Sequence, residues 1–263
     1  MPRDALCRSV IEASIYVAGW IDRQPQVKEE SITDWALDWL AQKTNRFAYK
    51  LFTRHEEARV TGADFEWWIL GDNRAFKARV QAKRLKADVD NYPGLAHTNE
   101  HGLQIVKLIE NANAEAAAPL YLFYANSLVL EAPRVGNGMF VAAAKQIDDS
   151  FVRPKREYVN DHDVLDRSIP LSVIFCLAGW AKPSPGALET MVRFIRSERG
   201  PGRGDSSFAE LDSEQGIHRH VPAQVRSFAE AGISQRREFS EGWFRDSFRG
   251  VDALFVIDLR HMP

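Results

Sequence analysis

The chain has 263 residues, 45% hydrophobic and 27% charged, enough for one large domain with a sizeable core or for a core with an appended subdomain. A formal net charge of −2 gives no overall basic signature, so nucleic acid would have to be met by a local patch. The two cysteines, Cys7 and Cys176, lack CxxC spacing, which argues against a disulfide framework or a cysteine zinc site and fits a reducing cytoplasm.

The apolar run 11–21 is interrupted by Glu12, Ser14 and Gly19 and is too short to span a membrane, so residues 1–28 are expected to pack on the core as helix or strand. No membrane partner is expected. Ser31, with Asp34 three residues on, resembles a capping box, and Ile32, Trp35, Ala36, Trp39 and Leu40 recur at helical spacing through about Lys43. Residues 47–60 read as a first strand, carrying Arg54, His55, Glu56 and Glu57. Next comes TGADFEWWILGDNRAFKARVQAKRLK, residues 61–86, in which apolar segments 65–70 and 78–85 flank a turn at Gly71, Asp72 and Asn73. That is the composition of a β-hairpin. Because side chains alternate along a strand, Asp64 and Glu66 share one face and Gln81 and Lys83 share one face of the next strand, with Val80 and Ala82 turned to the other side. Two carboxylates, an amide and an ammonium then meet across neighbouring strands, a grouping suited to metal-dependent phosphodiester cleavage.

Arg74, Lys77, Arg79, Lys83, Arg84 and Lys86 form a basic run without an intervening acid, either a phosphate-contacting patch or a solvated strand edge. A loop is expected over 87–99. A long amphipathic helix between His101 and Ala118, with Gln104 outward, is closed by Pro119, and 120–125 reads as a buried strand. Further on, 138–147 reads as strand or helix, and Arg153, Lys155 and Arg156 make a second basic cluster. The apolar stretch 170–180 is of open type, 187–197 reads as helix, and 199–207 is a glycine-rich loop without the GK[ST] ending of a phosphate-binding loop. Helices are expected over 221–231 and 238–248, and a closing strand over 251–259 that can join the main sheet. His218-Arg219-His220 has the HxH spacing of a zinc pair but no third ligand at a matching spacing, and Asp161-His162-Asp163 reads as a surface turn.

Gly62-Ala63-Asp64, followed at hairpin distance by Gln81-Ala82-Lys83, resembles the PD-(D/E)xK nuclease superfamily, and the Gln variant is most similar to its Mrr-like QxK branch. The GAD-aromatic-Glu-Trp-Trp stretch followed by VQAK also resembles a bacterial family with that signature. The resemblance covers about residues 28–126. It implies an α/β, restriction-endonuclease-like fold with a mixed central sheet flanked by helices, a core over 29–130, and a C-terminal α/β elaboration over 131–263. It further implies a metal-dependent endonuclease, with DNA the favoured substrate, Mg²⁺ or Mn²⁺ as cofactor, and a role in defence against foreign DNA. Asp64, Gln81 and Lys83 would be catalytic. Asp64, Glu66, Gln81 and the Ala82 carbonyl would hold the ion, with Glu30 and Glu57 as further candidates. Glu30 reads equally as a charge favourable to the helix dipole, and Glu57 as a solvated edge carboxylate. Arg74, Lys77, Arg79, Arg84, Lys86, Arg153, Lys155 and Arg156 would contact nucleic acid. Cutting both strands of a duplex would call for a homodimer or a partner protein. The alternative is a non-catalytic module of the same fold that binds nucleic acid or protein.

Overall fold

A strand covered on both faces commonly loses polar–apolar alternation, and residues 118–124 and 139–143 form such strands in this sheet. The computed structural model describes residues 5–52, 61–85, 94–100, 102–126, 138–178, 188, 215–231, 239, 244, 248 and 250–260. Helices α1 (Ala5–Arg23) and α2 (Glu29–Lys43) precede strand β1 (Phe47–Leu51). The hairpin follows as β2 (Phe65–Leu70) and β3 (Ala75–Arg84); all of β2 and the first eight residues of β3 are buried. A two-residue pair, β4 (Thr98–Asn99) and β5 (Gly102–Leu103), leads into helix α3 (Gln104–Ala114) and strand β6 (Ala118–Tyr124). Then come β7 (Met139–Ala143), helix α4 (Ala144–Ile147) continued as a π turn over Asp148–Val152, helix α5 (Asp161–Leu165) and β8 (Ile169–Pro170). The remaining elements are α6 (Leu171–Ala178), β9 (Ile217–His218), α7 (Ala223–Glu230) and β10 (Ala253–Asp258).

The main sheet runs β1-β10-β2-β3-β6-β7-β8, with β9 paired to the start of β3. β2 and β3 are antiparallel, whereas β6 is parallel to β3 and β10 parallel to β2. Phe65, Trp67 and Ile69 join Ala78 and Val80 in a core completed by Leu6 and Val10 of α1, Leu37 and Leu40 of α2, and Phe175 of α6. On the opposite face Trp68 and Leu70 pack with Ile105 and Leu108 of α3, Phe228 of α7, and Leu254 and Val256 of β10. The fold is therefore mixed α/β, a mixed sheet with helices on both sides. Among the described residues no helix is long and apolar enough to cross a membrane.

Several expectations change. The closing strand lies inside the sheet, so β1 is separated from β2 by β10; Glu57 lies outside the described residues. Helix α2 starts at Glu29, with no side-chain cap, rather than at a Ser31 capping box. Residues 138–147 are strand and then helix, and the apolar stretch after Pro170 is helical. Helix α3 ends at Ala114, and Pro119 lies in β6, not at a helix end. Asp161-His162-Asp163 is a helical turn with an Asn160 capping box. The helix expected over 187–197 and the glycine-rich loop fall largely or wholly outside the described residues. Cys7 and Cys176 form a disulfide between α1 and α6, 169 positions apart in sequence, which removes the cysteine argument for a reducing compartment.

Gly62 sits where the chain enters β2 beneath α3. Its φ is +72°, and a Cβ there would lie 2.5 Å from the Gln104 carbonyl oxygen and 2.9 Å from the Leu108 nitrogen. Both neighbours are backbone and cannot swing aside, and the left-handed conformation disfavours any side chain. Gly62→Ala is expected to destabilise the fold by about 2 kcal/mol or more. Gly94→Ala, where a Cβ meets nothing within 4 Å, is expected to stay within about 0.5 kcal/mol of wild type. Urea unfolding of the two variants side by side measures the difference.

Candidate functional site

Three segments fix Asp64. Its backbone nitrogen donates to the Val80 carbonyl at 2.8 Å, and its own carbonyl accepts from the Asp252 nitrogen at 2.8 Å, just before β10. Thr61 braces the approach, its hydroxyl donating to the Gly250 carbonyl at 2.5 Å. With the backbone held between β3 and β10, the carboxylate reaches β3: Oδ2 accepts from the Ala82 nitrogen at 2.8 Å and from Gln81 Nε2 at 2.6 Å. The same Nε2 lies 3.1 Å from the Ala82 carbonyl oxygen. Gln81 Oε1 in turn accepts from Gln104 Nε2 at 2.7 Å, so Gln104, expected outward, belongs to this network.

Lys83 follows Gln81 by two positions on β3 and so projects from the same face, half-buried and beyond the end of β2. Its charge acts on Asp64, lowering the carboxyl's pKa, as does the Ala82 N–H. Burial, the largest influence, and the carboxylates of Glu29 and Asp252 act the other way, and the Asp64 pKa is pushed up to about 7. Asp64, Gln81, the Ala82 backbone and Lys83 are thus brought together.

The remaining candidates divide. Glu66 is on the same face but spent: it is fully buried, pairs with Arg79 at 2.9 Å and Lys77 at 3.6 Å, and accepts from the Trp68 indole at 2.6 Å. Its role as a metal ligand is corrected, because cations and an indole already surround it. Glu30 is exposed, whereas Glu29 carries the acid that faces β3, Oε1 accepting from the Arg84 nitrogen at 2.9 Å. The helix beginning at Glu29 shows which acid turns inward; the misplaced cap hid it.

The basic run is likewise no single patch. Lys77 and Arg79 are buried in the middle of the sheet and face Glu66 and Glu115, so neither is available to phosphate and the strand is not an edge. The Arg84 guanidinium donates to the Pro25 carbonyl, Arg74 is exposed at the hairpin turn, and Lys86 is outside the described residues. Arg153, Lys155 and Arg156 are exposed, although Arg153 pairs with Asp148 at 2.9 Å and Asp149 at 2.7 Å and Arg156 lies over the Phe151 ring. His218 donates its ring N–H to the Ala116 carbonyl at 2.9 Å and packs against Trp68, with burial lowering its pKa.

Among the described residues no group of three or more His, Cys, Asp and Glu side chains is disposed to hold a metal ion. The oxygens that converge are of mixed kind: the Asp64 carboxylate, the Ala82 carbonyl and, if its amide is reversed, Gln81 Oε1. An all-oxygen set of this kind fits a hard cation such as Mg²⁺ or Mn²⁺ and not zinc. Gln81 Nε2 lies between the other two oxygens, where its N–H groups supply the positive charge they need.

Comparison with curated proteins and with solved structures gives no match. A family model described as a family of unknown function, DUF6615, matches residues 6–253. That span takes in both helical layers and reaches Ala253, the first residue of the inserted strand, and the chain belongs to this family.

Proposed function

We propose that the protein is a metal-dependent nuclease of PD-(D/E)xK type, hydrolysing phosphodiester bonds of nucleic acid, with DNA the favoured substrate. The observation that supports it is the meeting of Asp64, the Gln81 amide and the Ala82 carbonyl at one point, with Lys83 on the same face of β3. In this reading Asp64, Gln81 and Ala82 hold Mg²⁺ or Mn²⁺. When bound, such an ion supplies Lewis acidity toward a phosphoryl oxygen and makes water a better nucleophile at neutral pH. Lys83 offers a compact ammonium to the charge that builds on the phosphate as water adds and the bond to the leaving oxygen breaks. Glu29 and Asp252 add negative potential around Asp64, which draws a cation into a site whose third donor is a neutral amide. Exposed Arg74 and Lys155 remain as phosphate contacts.

A second reading is a binding module without catalysis, and the single carboxylate among the converging donors favours it, since neutral oxygens hold a divalent ion more weakly. Incubation with supercoiled plasmid, linear DNA and RNA in Mg²⁺ or Mn²⁺ separates the two. The nuclease predicts nicking or cutting that EDTA abolishes and that Lys83→Ala lowers by about 100-fold or more. Binding of nucleic acid with no metal-dependent cleavage in either protein supports the module.

The Asp64 pKa gives a second test, made in EDTA so that no divalent ion competes. The folded chain keeps the Asp64 proton up to about pH 7, while the unfolded chain releases it near the ordinary 3.8. Between these values the native state binds more protons, so this group's contribution to stability falls as pH rises and is fully lost above about 7. Asp64→Asn, uncharged at every pH, is expected to be more stable than wild type by about 1 kcal/mol or more at pH 8, with the gain vanishing toward pH 4. Thermal melts across that range measure it; a constant difference would mean that Asp64 does not titrate there.

A further inference from the structure

The acceptors around Gln81 dictate how its amide is turned. The Ala82 carbonyl can only accept, and Asp64 Oδ2, which also takes the Ala82 N–H, is set as an acceptor, so Nε2 faces them and Oε1 faces away, toward Gln104. A cation at that place demands the reverse, with Oε1 presented to the cation and Nε2 turned to Gln104. A neighbour that only donates would forbid the second orientation, and one that only accepts would forbid the first. Glutamine does both. The Gln104 amide donates from Nε2 to Gln81 and carries a buried Oε1 with no hydrogen-bond partner among the described residues, so a half-turn that presents Oε1 instead breaks no bond other than the one to Gln81, which reverses with it.

We propose that Gln104 is a positioning residue that lets the Gln81 amide reverse, holding it with Nε2 on Asp64 when no cation is bound and with Oε1 toward the cation when one is. This rests on the metal-site reading above and adds to it a residue that touches neither ion nor substrate. Helix α3 carries Gln104 in its first turn, against the Gly62 backbone that leads to Asp64, so the relay and the carboxylate share one rigid support.

Charge and orientation make opposite forecasts, which a pair of backgrounds separates. In the natural chain Gln104→Glu gives Gln81 an acceptor only, favouring the Oε1-inward state, and Mn²⁺ affinity is expected to rise about 10-fold. With Gln81→Glu already in place, residue 81 has no hydrogen to give, and two carboxylates face each other. There Gln104→Glu is expected to weaken Mn²⁺ binding by about 10-fold. An effect of added charge alone would strengthen binding in both backgrounds. Titration calorimetry with Mn²⁺ alone supplies the readout, with circular dichroism checking that each variant is folded and Gln104→Met, which can neither donate nor accept through an amide, weakening binding in the natural background. A sign reversal between backgrounds supports the relay; the same sign in both overturns it. If neither the natural chain nor Gln81→Glu binds Mn²⁺, the metal reading fails, and the relay with it.

Discussion

The middle strand of the sheet carries four polar side chains on one face, and each of them must be satisfied in a layer closed by helices. Lys77, Arg79, Gln81 and Lys83 alternate with Phe76, Ala78, Val80 and Ala82 along β3, whose apolar side packs on α1 and α2. Moving from the hairpin toward α2, the solutions change. Lys77 and Arg79 meet Glu66 and Glu115, two cations against two carboxylates. Gln81 meets one carboxylate and a second amide. Lys83 lies furthest past the end of β2 and is half-buried. Polar groups buried without partners are costly, and the face therefore runs from closed ion pairs to a half-open lysine.

Local pattern made much of this legible. Period-two alternation and the Gly71-Asp72-Asn73 turn placed the hairpin, and the spacing of Asp64 from Gln81 and Lys83 put them on one face, as the register requires. What alternation does not supply is the partner across the strand. Taken one at a time along the sequence, Glu66 suits a ligand and Arg79 a phosphate contact, yet they lie opposite each other in the register and neutralise each other. Long-range order was also beyond reach: nothing in VDALFVIDL says that it runs parallel to β2 in mid-sheet, and nothing in cysteine spacing says that α1 and α6 lie side by side. At Glu29 the miss was one of phase. A helix advances about 100° per residue, so the neighbouring acid points elsewhere, and the cap had to be right for the choice to be right.

The Glu66–Arg79 pair also bears on the site without belonging to it. A buried ion pair adds little net stability, but stripping one member leaves a charge in a dry interior at about 3–5 kcal/mol. A hairpin slipped by one residue would do that, sending Glu66 and Arg79 to opposite faces of the sheet. The natural register sets Phe65 against Val80 and Glu66 against Arg79, so the next position brings Asp64 to Gln81 and the Ala82 N–H. The pair thus penalises every neighbouring register in which the carboxylate and the amide would miss each other. Burial then raises the Asp64 pKa, and the same low-dielectric surroundings strengthen the pull of Glu29 and Asp252 on any cation that replaces the proton. The strand that closes the core and the strand that offers oxygen ligands are the same strand, so packing and candidate chemistry constrain each other residue by residue.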